Sequence, residues 1–269
     1  MNIPDVLGII AGNGVYPRLL ADSARKAGVK KMVAAAFTDE TDPTLTQHVD
    51  VIEWMRVGQL SRLLNFFRDQ NIHHAIMAGQ IAPKNLFDLH PDWKALLVLA
   101  KLKQRNAESI FAAIADELAK IDVDLLPATT FLEDFLVPAG LIAGPKLSPR
   151  EEEDVAFGWK IAKEIAGLDI GQTAIVKNGT IVAVEALEGT NDAIKRGGAL
   201  ARKGAVMVKV AKPNQDMRFD IPVIGIETIR VAMDAKLRVI AIESGKTLLL
   251  ERDAIVDLAE RAKISIVAR

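Results

Sequence analysis

Short, continuously apolar runs alternate with amphipathic stretches through the first third of this chain, and few folds satisfy that alternation. Val6 to Gly12 is apolar throughout, the pattern of a strand covered on both faces. A helix is predicted from Tyr16 to Ala27, with Leu19, Leu20, Ser23, Ala24 and Ala27 on one face and Gly28 closing it. Lys31 to Phe37 reads as a second strand and Val51 to Trp54 as a short third. Gly58 to Gln70 reads as a helix striped by Leu60, Leu63, Leu64 and Phe67, and His74 to Gly79 as another buried strand. Parallel strands need crossovers and helices supply them, so this is the pattern of a parallel α/β sheet.

Helices are expected next over Asp92 to Lys103 and Asn106 to Lys120, and the clustered Leu96, Leu97, Leu99 and Leu102 read as core in preference to a lipid-binding face. From Asp124 to Ser148 the pattern is irregular and holds Pro127, Pro138, Gly140, Gly144 and Pro145, the density of a connector. Ser148-Pro149-Arg150-Glu151 then opens a helix with a capping serine and a proline in its first turn. Asn178-Gly179 between two β-rich runs predicts a hairpin, so the second half is α/β with a mixed sheet. The chain of 269 residues therefore reads as a Rossmann-like N-terminal domain over 1–130, a linker over 131–148 and a C-terminal α/β domain over 149–269.

Charge and composition exclude several classes. Lys and Arg number 34 against 35 Asp and Glu, which leaves no basic surface for broad nucleic-acid binding. There is no cysteine, hence no disulfide, thiolate metal site or cysteine nucleophile. No apolar run approaches the roughly 18 residues of a spanning helix, and Met1 to Asp5 lacks the basic region of a signal peptide. A cytoplasmic protein is expected.

Four segments could carry chemistry. Gly12-Asn13-Gly14 lies between the first strand and first helix, where backbone N–H groups can face an anion; an ordinary tight turn is the alternative. Gly79-Gln80 and Lys84 follow the fourth strand and should share its sheet edge, either as ligand groups or as a plain polar loop. Gly189-Thr190 precedes a helix, where Thr190 serves as a cap or as part of an anion-facing turn. The segment from Lys209 to Pro222 is the most polar of all. Asp216 and Asp220 could hold Mg²⁺ while Lys209, Lys212 and Arg218 neutralise a polyphosphate, or the loop could be a set of solvated ion pairs.

Other signals fail. Ser244-Gly245-Lys246-Thr247 imitates the end of a phosphate-binding loop but lacks the earlier glycine, so a hairpin turn is expected there. Pro17 replaces the third glycine of a dinucleotide fingerprint, and Tyr16 is the only tyrosine. Both weaken a nucleotide-sugar oxidoreductase or epimerase. A non-catalytic carrier of nucleotide or lipid has no need of the polar cluster around Asp216.

Taken in order, Gly8-Ile9-Ile10-Ala11-Gly12-Asn13-Gly14 with Pro17, Ala78-Gly79-Gln80, Val184-Glu185-Ala186 with Glu188-Gly189-Thr190, and Lys212-Pro213-Asn214-Gln215-Asp216 with Arg218-Phe219-Asp220, Pro222 and Gly225 span nearly the whole chain. This set resembles the UDP-2,3-diacylglucosamine pyrophosphatases of lipid A biosynthesis, in the form that lacks a metallophosphoesterase fold. The resemblance implies substrate in a cleft between the two domains, a divalent metal such as Mg²⁺, and cleavage to UMP and 2,3-diacylglucosamine 1-phosphate. It implies an essential aspartate within Gln215 to Asp220, which leaves Asp216 and Asp220 as the catalytic and metal-holding candidates. Transient contact with the inner membrane leaflet and assembly as a homodimer stay open on this reading.

Overall fold

The protein, seen in a computed structural model, is described over residues 3–81, 91–103, 107–213 and 215–269. The chain divides into two compact units. One comprises Met1–Glu133 together with Asp216–Asp220, and the other comprises Asp134–Gln215 and Ile221–Arg269.

In the first unit, β1 (Val6–Ala11), β2 (Lys31–Phe37), β3 (Val51–Met55), β4 (His74–Ala78) and β5 (Asp124–Leu125) form one parallel sheet in the order β3-β2-β1-β4-β5. The chain builds outward from β1 on one side and then from β4 on the other. The carboxyl ends of β1 and β4 therefore flank the point where strand order reverses, the usual ligand position in open α/β sheets. Helix α1 (Tyr16–Ala27) ends where expected, because Gly28 takes the left-handed φ of 113° that a closing residue needs. Helix α2 (Leu60–Asp69) buries Leu63, Leu64 and Phe67 against Val33 and Ala35 of the sheet, and Leu118 of α4 (Ala107–Ala119) joins the same cluster.

Helix α3 (Trp93–Lys101) departs from the sequence reading. Ala95 faces the core, but Leu96 and Leu97 are 54% and 53% exposed, and Leu99 and Leu102 are half-buried. Helical spacing identifies faces; it does not say what each face meets.

The second unit holds a six-stranded mixed sheet ordered β6-β13-β11-β9-β7-β8. Its strands are β6 (Gly140–Ala143), β7 (Thr173–Lys177), β8 (Thr180–Val184), β9 (Val206–Lys209), β11 (Val239–Ile242) and β13 (Ser265–Ala268). Alternation along the strands splits the core into two layers. Val176, Val206, Val208 and Val239 pack under Val155 and Ala162 of α5 (Pro149–Gly167). Ile175, Met207, Ile240 and Ile266 pack under α6 (Thr190–Ala201), α7 (Ile226–Asp234) and α8 (Arg252–Ala262) through Ile194, Ile229 and Ile255. The predicted cap of α5 is a full capping box: Glu151 N donates to Ser148 Oγ while the Glu151 carboxylate accepts from Ser148 N. The hairpin at Asn178-Gly179 also forms, with both residues at positive φ.

Two local expectations change. Within 124–148 the chain contributes β5 and β6, too short to show any period. After β11 the Ser244–Thr247 turn does not close a hairpin. Instead β12 (Leu248–Leu249) pairs in parallel with β10 (Val223–Ile224) as a separate two-stranded sheet. Among the described residues, no helix is long and apolar enough to cross a membrane.

Candidate functional site

The first unit gathers five of the sequence-predicted residues where strand order reverses. Gly12 N donates to Ala78 O at 2.8 Å, Asn13 N donates to Gln80 O at 2.7 Å, and Gln80 N returns a bond to Asn13 O at 3.3 Å. The loops after β1 and β4 are thus stitched together, and this contact explains two of the glycines. A Cβ on Gly12 would sit 2.7 Å from Gln80 O, and one on Gly79 would sit 2.6 Å from Asn13 O. Gly14 is different: at φ 88° a Cβ there would meet nothing within 4 Å. Asn13, Gly14, Gly79 and Gln80 are exposed, so this edge is accessible to a ligand. Lys84 lies outside the described residues.

Asp216 and Asp220 belong to this same unit. Ala128 N donates to Met217 O at 2.7 Å, and the rings of Phe111 and Phe219 stand 5.8 Å apart. Ala128 O in turn accepts the hydroxyl of Tyr16, whose burial pushes its pKa up. The Asp216–Asp220 segment is one tight turn, closed by Asp220 N donating to Asp216 O at 3.0 Å. The Asp216 carboxylate is held firmly. Arg218 forks onto Asp216, with Nε at 2.9 Å from Oδ1 and Nη2 at 2.6 Å from Oδ2, and Arg218 N adds a bond to Oδ1 at 3.0 Å.

That guanidinium holds the Asp216 carboxyl below its ordinary range, against the opposing pull of partial burial. A pKa depressed on folding contributes stability that is complete above the unfolded value of about 3.9 and is lost as pH falls through the lower folded value. Acid unfolding of the wild type and of Asp216→Asn should therefore converge at low pH and separate above that value. Parallel profiles across the whole range would show that the pair contributes nothing to stability.

In the second unit, Lys209 ends β9 and is only 7% exposed. Its Nζ donates to Thr190 Oγ1 at 2.8 Å, and the Thr190 hydroxyl donates to Glu185 Oε1, also at 2.8 Å. Thr190 therefore links a buried ammonium to a buried carboxylate instead of capping its own helix. Gly189 before it, at φ 83°, leaves open space at the start of α6. Lys212 does not join this chain; its Nζ pairs with Asp169, and its N donates to Gln215 Oε1 at 2.8 Å.

Sequence reading gave no role to three residues that shape these segments, Glu185, Lys163 and Glu243, and it placed Arg218 on a polyphosphate, not on Asp216. Lys163 Nζ donates to Ala211 O at 2.9 Å and to Glu243 Oε2 at 2.6 Å, while Ala211 N donates to Glu243 Oε2 at 2.8 Å. Both backbone groups of Ala211 are clamped, fixing the entry to the Lys212 loop. Burial pushes the Glu243 carboxyl up, but Lys163, the Ala211 N–H and Lys246 outweigh it and hold the pKa low. The only signal for this clamp was an acid directly after a strand, since its partner lies 80 residues away.

Among the described residues, no group of three or more His, Asp or Glu gathers as a ready-made metal cage. Mg²⁺ seldom uses one: it keeps several waters and takes one or two carboxylates with substrate phosphates. The oxygen donors of the 216–220 turn fit that mode of binding, with the Asp216 oxygens already engaged by Arg218.

Comparison with known proteins agrees with this division of the chain. Residues 6–135 match the LpxI N-terminal domain and residues 138–267 the LpxI C-terminal domain. The UDP-2,3-diacylglucosamine pyrophosphatase LpxI of Caulobacter vibrioides is 29% identical over 267 residues, covering 94% of each protein. With both domains matched in order, the chain belongs to the LpxI family.

Proposed function

We propose that this protein hydrolyses the pyrophosphate bond of UDP-2,3-diacylglucosamine, giving UMP and 2,3-diacylglucosamine 1-phosphate (lipid X) in lipid A biosynthesis, with Mg²⁺ or another divalent cation. The observation that carries the reading is the match to both LpxI domains from residue 6 to residue 267, alongside a relative of near-equal extent that bears this activity in its name. In the reaction, water forms one new P–O bond as the bridging P–O bond breaks. The protein's task is positioning and charge neutralisation.

Asp220 takes the catalytic role on this reading. Asp216 would have to surrender the Arg218 fork to serve a metal or a water, so its part is to order the turn that presents Asp220. Asp220, four residues after Asp216, would hold the divalent cation, which would supply charge neutralisation on the diphosphate. Lys209 and Lys212 stabilise charge developing on the phosphates, and the loops of Gly12, Asn13, Gly14, Gly79 and Gln80 take the uridine side or a phosphate. Gly189 and Thr190 serve the phosphates through Lys209.

Phosphorus NMR of the purified protein with substrate and Mg²⁺, set beside an EDTA control, tests the reaction. Conversion of the diphosphate into two phosphomonoesters only with metal is expected; an unchanged diphosphate refutes the activity. Thr190→Val keeps the side-chain shape but removes the hydroxyl between Lys209 and Glu185. It should lower kcat/KM by about ten- to a hundredfold. Wild-type kinetics in that variant would remove Thr190 and Lys209 from the site.

A further inference from the structure

Helix α3 is apolar on both of its long faces, yet only one of them is covered. On the inner face, Ala95 is buried and Val98 packs beside it against the core of the first unit. The outer face carries Trp93, Leu96, Leu97 and Ala100, spaced i, i+3, i+4, i+7, with Trp93 67% exposed. A helix apolar all round belongs where apolar material lies on both sides of it. Nor is the helix loosely held: the Asp92 carboxylate caps it at Ala95 N (2.9 Å) and also accepts from Ser61 N of α2 (2.6 Å).

The charges around this face select its partner. Two carboxylates on or beside this helix are engaged, Asp92 by those backbone N–H groups and Glu117 by Lys94 (3.1 Å) and Lys120. Lys101 in the last turn and Lys103 just beyond it are exposed. Exposed tryptophan and leucines flanked by lysines make the composition of a helix that lies in a membrane interface, with rings and aliphatic chains below the headgroups and ammonium groups among anionic ones. We infer that the Trp93–Leu96–Leu97–Ala100 face of α3, with Lys101 and Lys103, docks this protein onto an anionic bilayer surface. The inference goes beyond the hydrolase reading and does not depend on it, because binding is measured without turnover.

The test uses the full chain and sedimentation with vesicles of phosphatidylglycerol in phosphatidylcholine, compared with phosphatidylcholine alone. Binding to the anionic vesicles is expected, with about a hundredfold loss of partitioning in Leu96→Glu/Leu97→Glu. Lys101→Gln/Lys103→Gln should lose about tenfold at low salt. All four positions are exposed, and circular dichroism confirms that the variants fold. Brominated acyl chains give a second measure in a milder variant: they should quench wild-type tryptophan fluorescence, and Trp93→Phe, which keeps Trp54 and Trp159, should lose most of that quenching. Absent binding, equal binding to both vesicle types, unchanged partitioning of the leucine variant, or undiminished quenching in Trp93→Phe would each overturn the proposal. So would sedimentation showing that the wild type self-associates and that Leu96→Glu/Leu97→Glu makes it monomeric, because the face would then belong to a second copy of the chain.

Discussion

Asp220→Asn is expected to lower kcat by about a thousandfold while leaving the protein folded, the scale seen when a preorganised charge at a reacting centre is removed. The backbone of the turn survives this change, since Asp220 N donates to Asp216 O whichever side chain follows. Asp216→Asn makes the contrast. It weakens the fork to Arg218 and should act mainly on the stability of the turn, with a smaller loss of kcat. Steady-state kinetics of the two variants at saturating Mg²⁺, read beside their unfolding curves, separate these effects. If Asp220→Asn turned over at near the wild-type rate while Asp216→Asn did not, the assignment would be reversed.

Gly79→Ala should destabilise the first unit by about 3 kcal/mol. Two independent penalties coincide at this position: φ is 91°, and the added Cβ would approach Asn13 O to 2.6 Å and Gly12 C to 2.8 Å. The obstruction is backbone, so no side-chain rotation relieves it. The loops after β1 and β4 would have to part, breaking the Asn13–Gln80 pairing. Urea unfolding measures the effect, and a loss under about 0.5 kcal/mol would mean that the loops separate freely. Activity should fall with stability here, because the same two loops line the accessible edge.

The parallel sheet was legible because its strands are buried on both faces and therefore read as unbroken apolar runs, Val6–Ala11 above all. Helix α1 was legible to the residue, since its stop signal is a glycine. The order β3-β2-β1-β4-β5 was not, as pairings between distant strands leave no local period. At the site, glycines between strand and helix marked the two loops, but not that the loops bond to each other. That Arg218 grips Asp216 could not be read either, because it depends on how a two-residue step turns the side chain back. Lys163 and Glu243 went unread for a related reason: each gains its role from a partner 80 residues away, brought near only by the folded chain. In α3 the pattern was visible and misread, since leucines at helical spacing look the same whether they face a core or the solvent.

The return of Asp216–Asp220 to the first unit bears on the order in which the molecule can be finished. A ribosome releases the five parallel strands long before it reaches Met217 and Phe219, so the N-terminal sheet can assemble early. Until then Ala128 N lacks its acceptor and Phe111 lacks its ring neighbour. The first unit to emerge is therefore the one that must wait for a late piece, and a fragment ending at Glu133 would stop at that unfinished stage. Supplying residues 215–221 as a separate peptide should raise the stability of such a fragment, tying completion of the N-terminal unit to synthesis of the very turn that carries Asp220.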